Sequence, residues 1–455
     1  MQQSQRATFV ELTEGKPFPP MSGRAAPDLA AAGFGESEWA VSGVATSYDP
    51  VATPGDGRFE LTEADSAPFA TRVLVRRPQP EAFSGVVLVE WLNVSGGQDA
   101  APDYTYLADE ILRAGHAWIG VSAQFIAVEG GDAAVGIGGQ TTGLRAQRPE
   151  RYGDLHHPGD AYAYDIVTQV GRYVREPDGG GPLADLRART VIAVGESQSA
   201  FALTSYVNGV HPRVGVFDAF LLHSRGAGYL PFDDRGRGSD IVAALGRGPA
   251  RLREDVGAPV VVVQAEGDLL GRIASLPARQ PDSDSVMTWE IAGQAHADLY
   301  QLGEFAQFVD CHGPVNSGQQ VFVLRALLRH LVSWVAGGAR PPAAPPVEID
   351  DDEVITDQLG NGRGGVRTPV VEAPVEHLTA VPHPEAQPMC MLFGRTVELP
   401  EQTLRDRWPG GGRTGREQYL DAYREATNRL IAEGFLLPED REEILADARP
   451  ERITW

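Results

Sequence analysis

The stretch Val191-Ile192-Ala193-Val194-Gly195-Glu196-Ser197-Gln198-Ser199-Ala200 decides how this chain of 455 residues is read. Four apolar residues, three of them β-branched, form a short buried strand. A helical pattern over Ser199–Asn208 begins almost at once. A strand that gives way to a helix this quickly turns sharply, and the turn lifts the Ser197 hydroxyl above the sheet edge. Gly195 and Ser199, two positions either side, are small enough for strand and helix to pack closely. The Gln198 N–H opens the helix and points to where an oxyanion would form. The pattern is G-x-S-x-G with Ser199 in place of the second glycine, the mark of an activated serine.

Such a serine needs a base, and the base needs an orienting carboxylate. Downstream, the strand pattern Pro259–Gln264 runs into Ala265-Glu266-Gly267-Asp268. The next, Thr288–Ile291, runs into Ala292-Gly293-Gln294-Ala295-His296. Both groups therefore leave their strands at the edge that carries Ser197. Asp268 is the expected acid because it reaches further beyond its strand; Glu266 is the alternative. The strand Val86–Trp91 leads into Leu92-Asn93-Val94-Ser95-Gly96-Gly97, where a glycine pair permits a tight path. The main-chain amide of Asn93 or Val94 is the expected second oxyanion donor, beside that of Gln198. His223, ending the strand pattern Val214–Leu222, and the aromatics Trp91, Tyr104 and Phe125 are candidate pocket walls.

Outward from this centre, further strand patterns lie at Arg72–Arg76 and Trp118–Ser122, and helical ones at Tyr104–Ala114, Ala161–Arg175 and Ile241–Asp255. Alternation of this kind predicts an α/β fold: a mostly parallel central sheet flanked by helices. Residues 1–40 read as irregular and 41–340 as the core, with the Gly-rich loop 126–158 a candidate lid. Residues 341–366 form a Pro-rich, acidic linker. Residues 367–455 form a C-terminal strap and helical extension, with a helix near 414–433 whose apolar stripe is Tyr419, Tyr423, Ala426 and Leu430.

Composition excludes several functions. Lys+Arg number 39 and Asp+Glu 62, a net charge of −23, which disfavours nucleic acid and anionic membranes as partners. No apolar run is long enough to span a bilayer, and Met1–Pro20 contains no signal-peptide core, so a cytoplasmic location is expected. Oligomeric state leaves no trace in the sequence. Cys311 and Cys390 read as two buried thiols, with a single bridge as the alternative. Gly360-Asn361-Gly362-Arg363-Gly364-Gly365 matches a dinucleotide fingerprint but opens no helix. His156, His157, Asp154 and Asp160 lack metal-site spacing and read as a solvated loop, so no cofactor and no metal are expected.

Three stretches carry a resemblance: Val89–Gly97, Gly195–Ala200 and Trp289–Asp298, together with Gly434-Phe435-Leu436-Leu437-Pro438-Glu439-Asp440 in the extension. With them the chain resembles the α/β-hydrolase superfamily, and within it a bacterial group labelled "alpha/beta hydrolase domain". The resemblance implies the α/β-hydrolase fold, a Ser-His-acid triad and cleavage of an acyl bond in a small-molecule ester by a serine hydrolase, without a cofactor. Acyl transfer with the same triad, or a non-catalytic binding protein on the same fold, are the alternatives. Ser199 departs from the superfamily's glycine.

Overall fold

Strands apolar along their whole length need cover on both faces, and this chain supplies it. The computed structural model describes residues 6–136, 141–177, 180–410 and 412–455. Its main sheet has nine strands: β1 (Thr8–Glu11), β2 (Phe34–Ala52), β3 (Glu60–Pro78), β4 (Val86–Trp91), β5 (Ala117–Val121), β6 (Thr190–Glu196), β7 (Ala219–His223), β8 (Val260–Ala265) and β9 (Val286–Ile291). Their spatial order is β1-β2-β3-β5-β4-β6-β7-β8-β9. Pairing is parallel from β5 through β9 and antiparallel among β1, β2, β3 and β5. Every residue of β4 to β8 is buried.

The period-2 pleat divides the core. Val87, Val89, Val191, Ala193, Phe220 and Val260 meet the helices Ala163–Arg175 and Gln198–Ser205. Leu88, Ile192, Val194, Leu221 and Val261 meet the helices Pro102–Ala114 and Gln320–Val335. The C-terminal extension joins this second core through Tyr419, Tyr423, Leu430 and Phe435 from the helix Gly412–Glu433 and the turn after it. The 341–366 segment closes the β9 edge: Val366 pairs with Ile291, donating to the Glu290 carbonyl at 2.7 Å. That contact satisfies backbone groups an open edge would expose.

Several expectations change. Residues 1–40 are not merely irregular, since they contain β1 and the start of β2. No apolar run marks them: β1 is four residues long and leaves Val10 exposed, and β2 mixes glycine, serine and acidic residues among its apolar ones. The expected helix Ile241–Asp255 stops at Leu245, because Gly246, Gly248 and Pro249 break it. The expected strand Val214–Leu222 is a short helix to Val214, a left-handed turn at Gly215 (φ 57°) and a strand only from Ala219. The 126–158 segment holds short helices at Phe125–Glu129, Leu144–Gln147 and Pro149–Tyr152; residues 137–140 lie outside the described residues. It is not a solvated loop where it meets the core. His157 is buried and bonded to the Ala123 carbonyl (2.8 Å), and buried Asp160 accepts the Phe125 and Ser239 N–H groups (both 2.7 Å).

Cys311 and Cys390 are joined in a disulfide, not held as two thiols. Their separation of 79 positions carried no sign that their loops meet. Disulfides persist chiefly in oxidising compartments, so this bond stands against the cytoplasmic expectation. Among the described residues, no helix is long and apolar enough to cross a membrane.

Arg72 on β3 is wholly buried and ties four segments together. It donates to the Phe18 carbonyl (2.6 Å), Glu38 (3.1 Å), Asp99 (2.5 Å) and Ser122 (3.1 Å). Asp99 belongs to the loop that follows β4, so this node fixes one rim of the candidate site. Arg72→Met should cost about 3–5 kcal/mol, because buried Asp99 loses its cationic partner, while Glu38 keeps Arg151 at 2.5 Å. Chemical denaturation checks this, and a cost below about 1 kcal/mol would refute the node's importance.

Candidate active site

Parallel strands deliver whatever follows them to one edge of the sheet. Ser197 follows β6, Asp268 follows β8, His296 follows β9 and Asn93 follows β4. Ser197 has φ 56° and ψ −120°, a conformation that costs a non-glycine residue about 1–3 kcal/mol. Its N–H is anchored to the His223 carbonyl (2.9 Å). A Cβ at Gly195 would lie 3.0 Å from the side chains of Ser199 and Leu203, which is why a glycine precedes the turn. Ser199 is accommodated with its side chain fully buried.

Ser197 Oγ lies 2.8 Å from His296 Nε2, and His296 Nδ1 lies 2.6 Å from Asp268 Oδ1. A carboxylate only accepts, so the Nδ1 proton faces Asp268 and Nε2 is left to accept the Ser197 proton. Asp268 is fully buried, and its other oxygen accepts the Ala265 N–H (2.7 Å). Burial works to lower the His296 pKa; the Asp268 charge, its hydrogen bond and the nearby Glu196 outweigh it and hold the group above its ordinary value. Glu266, the alternative acid, instead accepts the Gly293 N–H (2.8 Å), and burial pushes its carboxyl up to about 7. The structure therefore brings Asp268, not Glu266, to the imidazole.

Sequence reasoning missed Glu196. Its Oε1 is 3.6 Å from His296 Nε2, its side chain is buried, and burial with the charges of Asp103 and Asp268 pushes its carboxyl up to about 7. The only signal was a charged residue at the inner end of an otherwise apolar strand. Behind it, His223 Nδ1 meets Asp103 Oδ1 (3.1 Å), both wholly buried. Burial lowers the His223 pKa and raises that of Asp103 to about 8. Glu90 caps the helix Pro102–Ala114 through the Asp103 and Tyr104 N–H groups (3.1 and 2.9 Å).

The loop after β4 approaches as expected, but its amides are committed. The Asn93 N–H donates to the Ala100 carbonyl (2.9 Å) and the Val94 N–H to Gln198 Oε1 (3.2 Å). Ser95 and Gly97 likewise donate inside the loop, to Asn93 Oδ1 and the Val94 carbonyl. The expectation that Asn93 or Val94 aims a free amide at the site is therefore corrected. The polar side chains of Asn93 and Gln198, bonded to neighbouring backbone, took that hydrogen-bonding capacity. Gln198 keeps its own main-chain N–H at the helix start, where no intrahelical acceptor exists.

A cavity of about 180 Å³ opens over Ser197 and His296. Its walls include Met21, Gly96, Val135, Leu302, Phe305 and Phe393, with the Glu196 carboxyl beside the serine. Among the described residues, no lysine or arginine lines it. None of the four expected wall residues does either. Trp91 is core and bonds Gln124 (3.1 Å). Tyr104 packs on Trp118 under Arg76. Phe125 borders a separate cavity, and His223 is wholly buried behind the site. Besides the loop after β4 and Val135 of the 126–158 segment, the walls come from the N-terminal segment, the loop after His296 and the segment near residue 390.

The sequence model of a family described as "Alpha/beta hydrolase domain" matches residues 6–446. No curated protein matches the chain significantly in sequence. Similar solved structures include an α/β serine hydrolase of Xanthomonas campestris described as lacking a lid, at 13% identity, covering 54% of this chain and 83% of that one, with a TM-score of 0.28. A glucuronoyl esterase from Solibacter usitatus is 13% identical over 68% of this chain and 86% of its own, TM-score 0.32. One of two fungal esterases from Rhizomucor miehei is 14% identical over 65% and 85%, TM-score 0.33.

Proposed function

Because the chain belongs to the alpha/beta hydrolase domain family and has its fold, we propose that it is a serine hydrolase that cleaves small, uncharged carboxylic esters through Ser197, His296 and Asp268. The observation that carries this reading is the continuous hydrogen-bonded run from Ser197 Oγ through His296 to buried Asp268, set on a strained turn. His296 takes the Ser197 proton as the oxygen attacks the ester carbonyl. The Gln198 N–H holds the oxyanion, and Gly96, the remaining pocket-lining residue of the 93–97 loop, offers a second donor. Each such donor is worth about 2.7–4 kcal/mol. His296 then protonates the departing alkoxide, and water, activated the same way, releases the acid from the acyl-enzyme.

Pocket chemistry supports the substrate class. Glu196 beside the nucleophile and the lack of lysine or arginine in the lining disfavour carboxylate-bearing esters, and about 180 Å³ suits a short acyl group. Hydrolysis of p-nitrophenyl esters from acetate to octanoate tests this. The expected result is a kcat/KM that falls beyond short chains. Equal or rising values toward octanoate, or preference for a hemisuccinate ester, would contradict it.

The base must be neutral to act, so kcat/KM should fall as pH drops through the His296 pKa. Glu196→Gln removes a neighbouring negative charge that helps to raise that pKa. The acid limb should then move to lower pH, by up to roughly one unit. A pH–rate profile of wild type and variant checks the sign; a limb moving upward would contradict it.

A further inference from the structure

We propose that His312, His383 and Glu385 form a surface site for a divalent transition metal of the zinc class, clamped across the two segments that build one wall of the catalytic cavity. Each of the three offers a ligand atom, and these atoms lie within 4.8 Å of one another. The two imidazole rings stack at 4.8 Å between centroids with planes 12° apart. Two nitrogens and one carboxylate oxygen are the donor set that suits zinc or its neighbours, whereas calcium and magnesium favour all-oxygen sites. A tetrahedral zinc with bonds of about 2.0–2.2 Å would draw the ligand atoms to about 3.3 Å apart. His312 and Glu385 are exposed and free to make that small adjustment.

The backbone beneath the site is already held. Cys311, next to His312, is bonded to Cys390, seven positions beyond His383. His312 itself sits at φ 55°, a left-handed conformation, with its N–H fastened to Asp310 Oδ1 (3.1 Å). His383 lies between Pro382 and Pro384, each of which fixes a backbone angle. Presenting ligands from segments fixed in this way reduces the ordering entropy that a metal must overcome. One contact works against binding: His383 Nδ1 accepts the Glu385 N–H at 3.2 Å, so a metal at that nitrogen displaces a long hydrogen bond. Spacing could not announce the site, because His312 and His383 are far apart in the chain.

The location gives the metal something to do. Cys311 and Cys390 share an apolar cluster with Ala297, Leu302 and Phe393, and those three also line the cavity over Ser197. A metal bridging His312 to His383 would tie the same two segments together from the solvent side.

The test needs no substrate and stands apart from the hydrolase reading. Zinc chloride is titrated calorimetrically into the full chain in thiol-free, non-chelating buffer, so that the disulfide stays intact and no reductant competes. The expected result is one zinc per chain. His312→Ala and His383→Ala should each weaken binding about tenfold or more, and the double variant should lose it; losing only a hydrogen-bond partner of a ligand already costs about 10–100-fold at metal sites. Circular dichroism of the metal-free variants confirms that they fold. Zinc should also raise the melting temperature of wild type and not of the double variant. No binding by wild type, or affinity unchanged in the double variant, would overturn the proposal.

Discussion

Ser197→Ala is expected to lower kcat for ester hydrolysis about a millionfold while leaving the fold intact. The size of the effect follows from the relay. Without the Ser197 oxygen, His296 has no proton to take and no acyl-enzyme can form, so only binding and oxyanion stabilisation remain. The fold should survive because alanine keeps the Cβ that the strained turn already carries, and because the anchor from the Ser197 N–H to the His223 carbonyl is main-chain. Steady-state kinetics with far-ultraviolet circular dichroism reads both. A loss smaller than about a hundredfold in a well-folded variant would mean that another group is the nucleophile.

Asp268→Asn should lower kcat about ten-thousandfold. Asparagine can present an N–H to His296 Nδ1, which would then accept and leave the proton on Nε2, facing the serine. The base would be in the wrong tautomer. The charge that helps to hold the His296 pKa above its ordinary value would also be gone, so the acid limb of the residual rate should move to lower pH. Glu266→Gln is the contrast, because Glu266 accepts the Gly293 N–H and does not reach the imidazole. It should keep kcat within about threefold of wild type. Retention of activity in Asp268→Asn with loss in Glu266→Gln would reverse the assignment.

What could be read from sequence was whatever a local rule governs. The runs Val86–Trp91, Val191–Val194 and Pro259–Gln264 are apolar but for Glu90 and Gln264 because both their faces are covered, and they became β4, β6 and β8 within a residue or so at their termini, apart from the longer β6. Ser197, Asp268 and His296 were expected together because each lies in the turn or loop leaving a strand at the same sheet edge, and the three side chains stand in a hydrogen-bonded series from Ser197 through His296 to Asp268. The stripe Tyr419, Tyr423, Ala426 and Leu430 is buried as its spacing required. The rest depended on contacts between distant segments. β1 is four residues long with Val10 exposed, and β2 mixes glycine, serine and acidic residues among its apolar ones, so composition resembled a loop. Val94 and Asn93 lost their expected role to a glutamine side chain and to Ala100, which only folding brings near. Phe393 and Met21, on opposite sides of the sequence, meet at the cavity without any motif. The disulfide and the His312–His383 pair belong to the same class of fact.

Intact mass after exposure to a fluorophosphonate shows whether Ser197 is an activated nucleophile. A single covalent adduct is expected on the wild type and none on Ser197→Ala under the same conditions. A folded wild type that takes up no adduct, or an adduct that persists in Ser197→Ala, would contradict it.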